Sequence, residues 1–336
     1  VAVDPALSAP LSDGLSDGRY RAPRWLPGGN LQTLWPALLA SRPPPVALQR
    51  ERWITPDGDF VDVDLRLGAA AGAPALVLFH GLEGSSASPY AQGFAAAAAA
   101  RGWAVALPHF RGCSGEPNLA PRAYHSGDHE EIAWLLARLR ERFGVPLYAA
   151  GVSLGGNALL RWAGEAEGDA SRLTRAVAAI SAPLDLAAAG AAIDRGFNRL
   201  AYARMFLSTM KPKALAKWQQ HPGLFDRDRV RAAHTIFAFD DAFTAPLHGF
   251  AGAADYWARA SAKPHLARIR VPALALNARN DPFVPAASLP TAAEAGPRLT
   301  LWQPRHGGHC GFPAGPFPGH LMAMPMAVCG WFAQQA

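Results

Sequence analysis

The chain has 336 residues, half of them hydrophobic and 17% charged, with three cysteines. A chain of this size can bury roughly three quarters of its unfolded surface, which excludes whole-chain disorder and allows two domains or one large α/β domain with an insertion. The net charge of +6 comes from 28 arginines and four lysines spread along the sequence; without a dense basic stripe interleaved with aromatics, nucleic-acid binding is excluded as a role.

Residues 1–22 are rich in Ser, Asp, Gly and Pro and read as a loose leader. The leader has no basic start followed by an apolar stretch, so it does not read as a secretory signal. Residues 23–336 read as one domain. Two strands are expected over 46–56 and 60–67, with Asp57-Gly58 as the hairpin signal between them. From Ala75 the pattern changes to short continuous apolar runs, typical of strands buried on both faces, at 75–80, 103–110, 145–152 and 173–182. Helical stretches over 89–101, 127–143 and 155–165 separate them. Such alternation predicts a parallel sheet with right-handed crossovers. It stops over 184–262, a helical segment of the size of a lid. Strands resume at 271–278 and 298–303, and a helix closes the chain over 320–335. No uncharged apolar run reaches the roughly 20 residues of a membrane-spanning helix. Cys113, Cys310 and Cys329 are too scattered for a disulfide framework, which points to a reducing compartment and a cytoplasmic protein.

The third buried strand ends in Gly151-Val152-Ser153-Leu154-Gly155-Gly156, a G-x-S-x-G pattern with a strand before it and a helix after it. The bare pattern is weak; its context makes it specific. A serine on a sharp strand-to-helix turn projects its hydroxyl above the sheet, and Gly151 and Gly155 are needed where side chains would collide with neighbouring elements. A serine hydroxyl needs a base, and the base needs an orienting carboxylate. Asp281 follows the strand ending near Ala278, and His309 follows the last strand, giving the order Ser, acid, His that this kind of elbow uses. Asp281 could instead serve as a turn residue before Pro282, and His306 competes for the base. A single base in the ordinary histidine range, roughly 6–7, is expected to govern the pH profile. An oxyanion needs two donors, for which the backbone N–H groups of Leu154 and of Leu82, in His80-Gly81-Leu82-Glu83-Gly84, are the candidates. Glu83 should turn its charge away from them. His306, His309 and Cys310 lack a fourth partner for a closed metal site, and no phosphate-cradling glycine motif is present, so neither metal nor nucleotide is expected.

Further motifs occur in order: Leu31-Gln32-Thr33-Leu34-Trp35-Pro36, Arg111-Gly112-Cys113-Ser114-Gly115-Glu116, Tyr124-His125-Ser126-Gly127, Phe239-Asp240-Asp241 with Thr244-Ala245-Pro246, and Gly307-Gly308-His309-Cys310-Gly311-Phe312. With the Ser153 elbow they resemble the YheT-like branch of the α/β hydrolases, which also contains animal lipid hydrolases. The resemblance runs from about Trp25 to the C-terminus. It implies the α/β hydrolase fold, a mostly parallel twisted sheet with flanking helices and a helical cap over 184–262. It further implies a serine carboxylic-ester hydrolase with Ser153, Asp281 and His309 as its triad, acting without a cofactor through an acyl-enzyme. Short- to medium-chain acyl esters or monoacylglycerols are the substrates it suggests. Relatives often carry His where Asn30 stands, and the animal relatives carry an N-terminal membrane helix not seen here. Tyr124, His125, Asp240 and Asp241 read as scaffolding of the loops around the site. Met205, Phe206, Leu207 and Met210 read as cap core or as lining of an acyl pocket. Lys211, Lys213 and Lys217 read as solvated, with weak contact to an anionic membrane surface as the lesser alternative. An acyltransferase using the same acyl-enzyme, or a non-catalytic binding protein on the same fold, are the alternative readings.

Overall fold

The computed structural model describes Leu15, residues 19–43 and residues 45–335. Among them, eight strands form one sheet: β1 (Gln49–Ile54), β2 (Phe60–Arg66), β3 (Ala75–Phe79), β4 (Ala104–Pro108), β5 (Leu147–Val152), β6 (Thr174–Ile180), β7 (Ala273–Leu276) and β8 (Leu299–Trp302). Their order is β1-β2-β4-β3-β5-β6-β7-β8. The first two pairings, β1 with β2 and β2 with β4, are antiparallel, and the rest are parallel. The hairpin turns at Gly58, whose φ of 76° suits glycine.

Alternation along each inner strand builds two cores. Val77 and Phe79 of β3 join one cluster with Ala149 of β5, and Leu76 and Leu78 join the opposite cluster with Tyr148 and Val152. Helices α3 (His129–Phe143) and α4 (Leu154–Ala166) cover the first face; α2 (Pro89–Ala99) and the helix Ala323–Ala333 cover the second. Each fully buried Leu or Phe stabilises this sandwich by about 1.5–3 kcal/mol relative to exposure. Asp128 caps α3 by accepting from Glu131 N, and Gly144 ends it at φ 71°. A helix absent from the sequence reading, α1 (Gly29–Leu38), precedes β1. Residues 1–14 and 16–18 of the leader lie outside the described residues. Its remaining part is less loose than its composition suggests: Leu15 and Tyr20 are buried, and the Tyr20 hydroxyl donates to the Pro313 carbonyl at 2.5 Å.

Between β6 and β7 the chain passes through short helices and the long helix Arg204–Gln220. These pack around their own apolar cluster, with Phe225, Phe239, Phe243 and Trp257 at its centre. Asn157 of α4, fully buried, ties this insertion to the sheet. Its Nδ2 donates to the Ser126 and Ala260 carbonyls at 2.8 and 2.9 Å, and its Oδ1 accepts from Ala262 N at 2.9 Å. Asp240 does similar work inside the insertion, accepting from Thr244 Oγ1 at 2.7 Å and Trp257 Nε1 at 2.8 Å. Burial raises the Asp240 carboxyl to about 6 against those two bonds. Asp241 accepts from Ala253 N and pairs with Arg229.

Candidate active site

At the end of β5 the chain turns into α4 at Ser153, with φ 54° and ψ −119°. A non-glycine residue in that region costs about 1–3 kcal/mol and persists only where its surroundings fix it. Here Ser153 N donates to the Ile180 carbonyl at 2.8 Å, and the Ser153 carbonyl accepts from Gly156 N and Asn157 N. A Cβ on Gly155 would lie 2.5 Å from the His80 carbonyl oxygen and 2.6 Å from that of Phe79, so only glycine lets α4 start against the end of β3. A Cβ on Gly151 would meet the backbone of Gly155 and Gly156.

His309 Nε2 lies 3.0 Å from Ser153 Oγ, and His309 Nδ1 lies 2.8 Å from Asp281 Oδ2. The Asp281 side chain is fully buried, and its Oδ1 accepts from Phe283 N and Val284 N at 2.7 and 3.3 Å. Burial by itself would lower the His309 pKa. The Asp281 carboxylate and, after it, Cys310 together outweigh burial and hold the imidazole above its ordinary 6.5. The direction is upward from the 6–7 range expected from the sequence. His306, the competing candidate, takes part in neither bond: both Ser153 Oγ and Asp281 Oδ2 meet His309.

The histidine loop is clamped by α1, which sequence reasoning missed. Gln32 Oε1 accepts from Gly307 N at 3.0 Å and from Asn280 Nδ2 at 2.9 Å, and Thr33 Oγ1 accepts from His309 N at 2.9 Å. Gly308 fits because a Cβ there would lie 2.7 Å from the backbone of Gln32. Asn30, on the same helix, accepts from the Tyr202 hydroxyl at 3.0 Å and so meets the insertion.

The loop after β3 runs beside the elbow: a Cβ on Gly81 would be 3.2 Å from Ser153 Cβ. Burial takes the His80 pKa down to about 3, against the bond its Nδ1 makes to the Gly81 carbonyl at 2.7 Å. The neutral ring's Nε2 accepts from Phe110 N at 3.0 Å, pinning the ends of β3 and β4 together. Gly81 N donates to the Tyr90 hydroxyl and Glu83 N to the Tyr124 hydroxyl, each at 2.9 Å. Between them Leu82 N has no acceptor among the described residues, and the same holds for Leu154 N at the start of α4. The Glu83 carboxylate is engaged by the Tyr124 hydroxyl at 2.8 Å and by Lys213 Nζ at 2.9 Å.

A cavity of about 510 Å³ opens over Ser153, Leu154, Leu82 and His309. That size suits a small-molecule ligand. One side is apolar, with Ile193, Phe206, Met210, Phe243 and Phe283. The helix Arg204–Gln220 thus splits the residues that the sequence grouped: Phe206 and Met210 line the cavity, Leu207 is buried in the insertion's core, and Met205 is exposed. The lysine trio, read as solvated, departs from that reading at Lys217. Lys217 is 5% exposed and donates to the Asn118 and Ala120 carbonyls, Lys213 pairs with Glu83, and Lys211 donates to the Ala233 carbonyl. Of the three only Lys217 is buried; Lys213 stays exposed and Lys211 half-buried. Beneath the cavity, Arg111 links the hairpin to α3 through Asp57, Asp59 and Glu131 at 2.9, 2.8 and 2.5 Å. No group of three or more His, Cys, Asp or Glu side chains suited to a metal occurs among the described residues, and no helix among them is long and apolar enough to cross a membrane.

The strand order, the strained serine and the histidine loop all belong to one class, and the chain is a member of the alpha/beta hydrolase fold family, whose model matches residues 74–316. Within it the chain falls in the YheT-like branch. YheT, a candidate esterase of Escherichia coli (strain K12), is 39% identical over 307 residues, spanning 90% of this chain and 89% of that one. The phospholipase ABHD3 of Mus musculus is 30% identical over 300 residues, covering 85% of this chain and 71% of that protein. Among solved structures, Est1E of Butyrivibrio proteoclasticus bound to ferulic acid superposes with a TM-score of 0.54 at 16% identity. That match covers 84% of this chain and 98% of Est1E and bears on the fold alone.

Proposed function

We propose that the protein is a serine carboxylic-ester hydrolase in which Ser153 is the nucleophile, His309 the general base and Asp281 its orienting partner. The observation that carries this is the continuous line from Asp281 Oδ2 to His309 to Ser153 Oγ, at 2.8 and 3.0 Å, opening into the cavity. Membership in a branch with relatives named as esterase and phospholipase supports ester hydrolysis as the reaction class.

As Ser153 Oγ attacks the ester carbonyl, His309 Nε2 takes its proton, and the carbonyl π electrons move onto the oxygen. The N–H groups of Leu82 and Leu154 hold that oxyanion. Collapse breaks the C–O bond, His309 returns the proton to the departing alcohol, and the acyl group stays on Ser153. Water, deprotonated by His309, then attacks the acyl carbon; the bond to Ser153 Oγ breaks, Oγ takes the proton back from His309, and the acid leaves. Asp281 keeps the Nδ1 proton in place, so that Nε2 is the free base. No cofactor enters these steps. The apolar wall at Ile193, Phe206 and Phe283 favours uncharged acyl esters of short to medium chain, monoacylglycerols among them. Three unpaired cysteines fit a reducing compartment such as the cytoplasm.

A fluorophosphonate probe should label Ser153 alone, and Ser153→Ala should abolish both labelling and ester turnover. Loss of the attacking group typically removes several orders of magnitude in rate. Undiminished turnover by folded Ser153→Ala protein overturns the assignment.

A further inference from the structure

Glu83 sits one residue after the proposed oxyanion donor Leu82, with φ 56°, in the left-handed region that favours glycine. A single phenol grips it twice: the Tyr124 hydroxyl accepts from Glu83 N at 2.9 Å and donates to Glu83 Oε1 at 2.8 Å. The phenol is itself fixed. Its ring stacks on Phe110 with centroids 5.5 Å apart and planes 5° from parallel, and Phe110 N is bonded to His80. The other carboxylate oxygen of Glu83 pairs with Lys213, which stands on the helix Arg204–Gln220 of the insertion. Four residues along that helix, Lys217 is bonded to the carbonyls of Asn118 and Ala120, so the helix is seated on the sheet domain at two successive turns.

Tyr124 could have been a surface tyrosine that merely fills space. Its hydroxyl instead satisfies the amide next to the one that must stay free. On the other side of Leu82, Tyr90 does the same for Gly81 N. With both neighbouring amides held, the direction of the Leu82 N–H is set. We propose that Tyr124, Glu83 and Lys213 are positioning residues for the oxyanion loop. Through them, the insertion helix takes part in transition-state stabilisation as well as lining the cavity. The proposal rests on the reading of Ser153 and Leu82 given above. None of the three residues touches the reacting atoms. Their effect passes through the aim of one backbone N–H, which matters most when the carbonyl oxygen becomes an anion.

Tyr124→Phe keeps the ring and its stack while deleting both hydrogen bonds. Outright removal of an oxyanion donor costs roughly 10²–10³ in kcat. A misaimed donor should cost less, and kcat on a p-nitrophenyl ester should fall about 10- to 100-fold with KM changed less than about threefold. Binding of a trifluoromethyl ketone, which forms the oxyanion, should weaken in parallel with kcat/KM. The pH midpoint should not move, since Asp281 and His309 are untouched. Lys213→Met, at an exposed residue, should lower kcat by several-fold, Lys213→Arg should restore it, and Lys213→Met in the Tyr124→Phe background should add little. Lys211→Met, on the same helix but bonded to the Ala233 carbonyl, should leave kcat unchanged. Wild-type kcat in folded Tyr124→Phe, a loss confined to KM, or an equal loss from Lys211→Met and Lys213→Met would each overturn the proposal. Ser153→Ala run alongside keeps the two ideas separate: an active Ser153→Ala overturns the nucleophile, whereas an inactive one beside an unimpaired Tyr124→Phe overturns only the relay.

Discussion

Replacing Asp281 by Asn keeps the outline of a fully buried side chain and removes its charge. The carboxylate is 2.8 Å from His309 Nδ1. For charge centres about 4 Å apart at an effective dielectric of about 20, such a pair gains about 4 kcal/mol. At about 1.36 kcal/mol per pKa unit, that corresponds to roughly three units in favour of the imidazolium. Burial pulls the other way, and in the wild type the carboxylate together with Cys310 overcomes it, so the His309 pKa stands above 6.5. The base works only when neutral, so wild-type kcat/KM should rise with pH through a midpoint above 6.5. In Asp281→Asn burial is opposed only by Cys310, and the midpoint should fall from its wild-type position. The plateau should fall as well. The Asn amide can donate to Nδ1, which moves the ring proton to Nε2, where Ser153 Oγ needs an acceptor. An error of tautomer at this place costs about 10⁴ in kcat, or about 5 kcal/mol. The two effects oppose each other at low pH, so the ratio of wild-type to variant activity should grow as pH rises. The assay is a pH series of kcat/KM on a p-nitrophenyl ester for both proteins, with thermal unfolding to confirm the fold. A variant whose midpoint does not move, or whose plateau drops less than about tenfold, refutes the role given to Asp281.

Gly155→Ala should destabilise the protein by about 3 kcal/mol, because its Cβ would press on the Phe79 and His80 carbonyls at 2.6 and 2.5 Å, and backbone cannot give way as a side chain can; a shift in the denaturant midpoint measures this. Asn157→Ala strands the Ser126 and Ala260 carbonyls and Ala262 N in the interior, each worth about 1–3 kcal/mol when left unpaired. It should lower global stability and open the junction between α4 and the insertion to limited proteolysis, while the same stability as wild type would show that the insertion is held by other means. Along a series of p-nitrophenyl esters, each added methylene that enters the cavity should raise kcat/KM about fourfold, from about 0.8 kcal/mol per buried CH₂, until the chain outgrows the space. Phe206→Ala removes part of the apolar wall and should move the optimum to longer chains; an unchanged optimum would take Phe206 out of the acyl site.

The sheet and the serine elbow were legible in the sequence because their causes are local. β3, β4 and β5 are short apolar runs since both of their faces are covered, and Gly151 and Gly155 stand where a Cβ meets backbone within the same turn or the adjoining strand end. Asp281 and His309 were legible from chain order, because each follows a strand of a parallel sheet and so emerges at the edge where the elbow lies. The clamps were not legible. Gln32 bonds Gly307 across 275 positions, and Tyr124 bonds Glu83 across 41, separations that leave no periodic trace. Helix α1 itself carries Pro36, which argues against a helix when read alone. Lys217 misled for the opposite reason. A lysine on a helix is solvated by default, and nothing near Lys217 in sequence announces that residues 118–120 will turn carbonyls toward it.

These clamps explain how one scaffold can hold its chemistry steady while its cavity varies. The Ser153 turn is braced by β6 through the Ile180 carbonyl, the histidine loop by α1 through Gln32 and Thr33, and the loop after β3 by Tyr90. All of these braces come from the sheet domain. Substitution within the insertion can therefore reshape the apolar wall at Phe206 or Met210 without removing any of these hydrogen bonds. Lys213 reaches from the insertion to Glu83 beside Leu82, and Tyr202 and Asn198 reach from it to Asn30 on α1 and to the Pro282 carbonyl beside Asp281. Changes to the cavity wall should thus appear mainly as shifts in KM and chain-length preference, and a change at Lys213 as a loss in kcat. This division follows from which side of the cavity supplies each hydrogen bond.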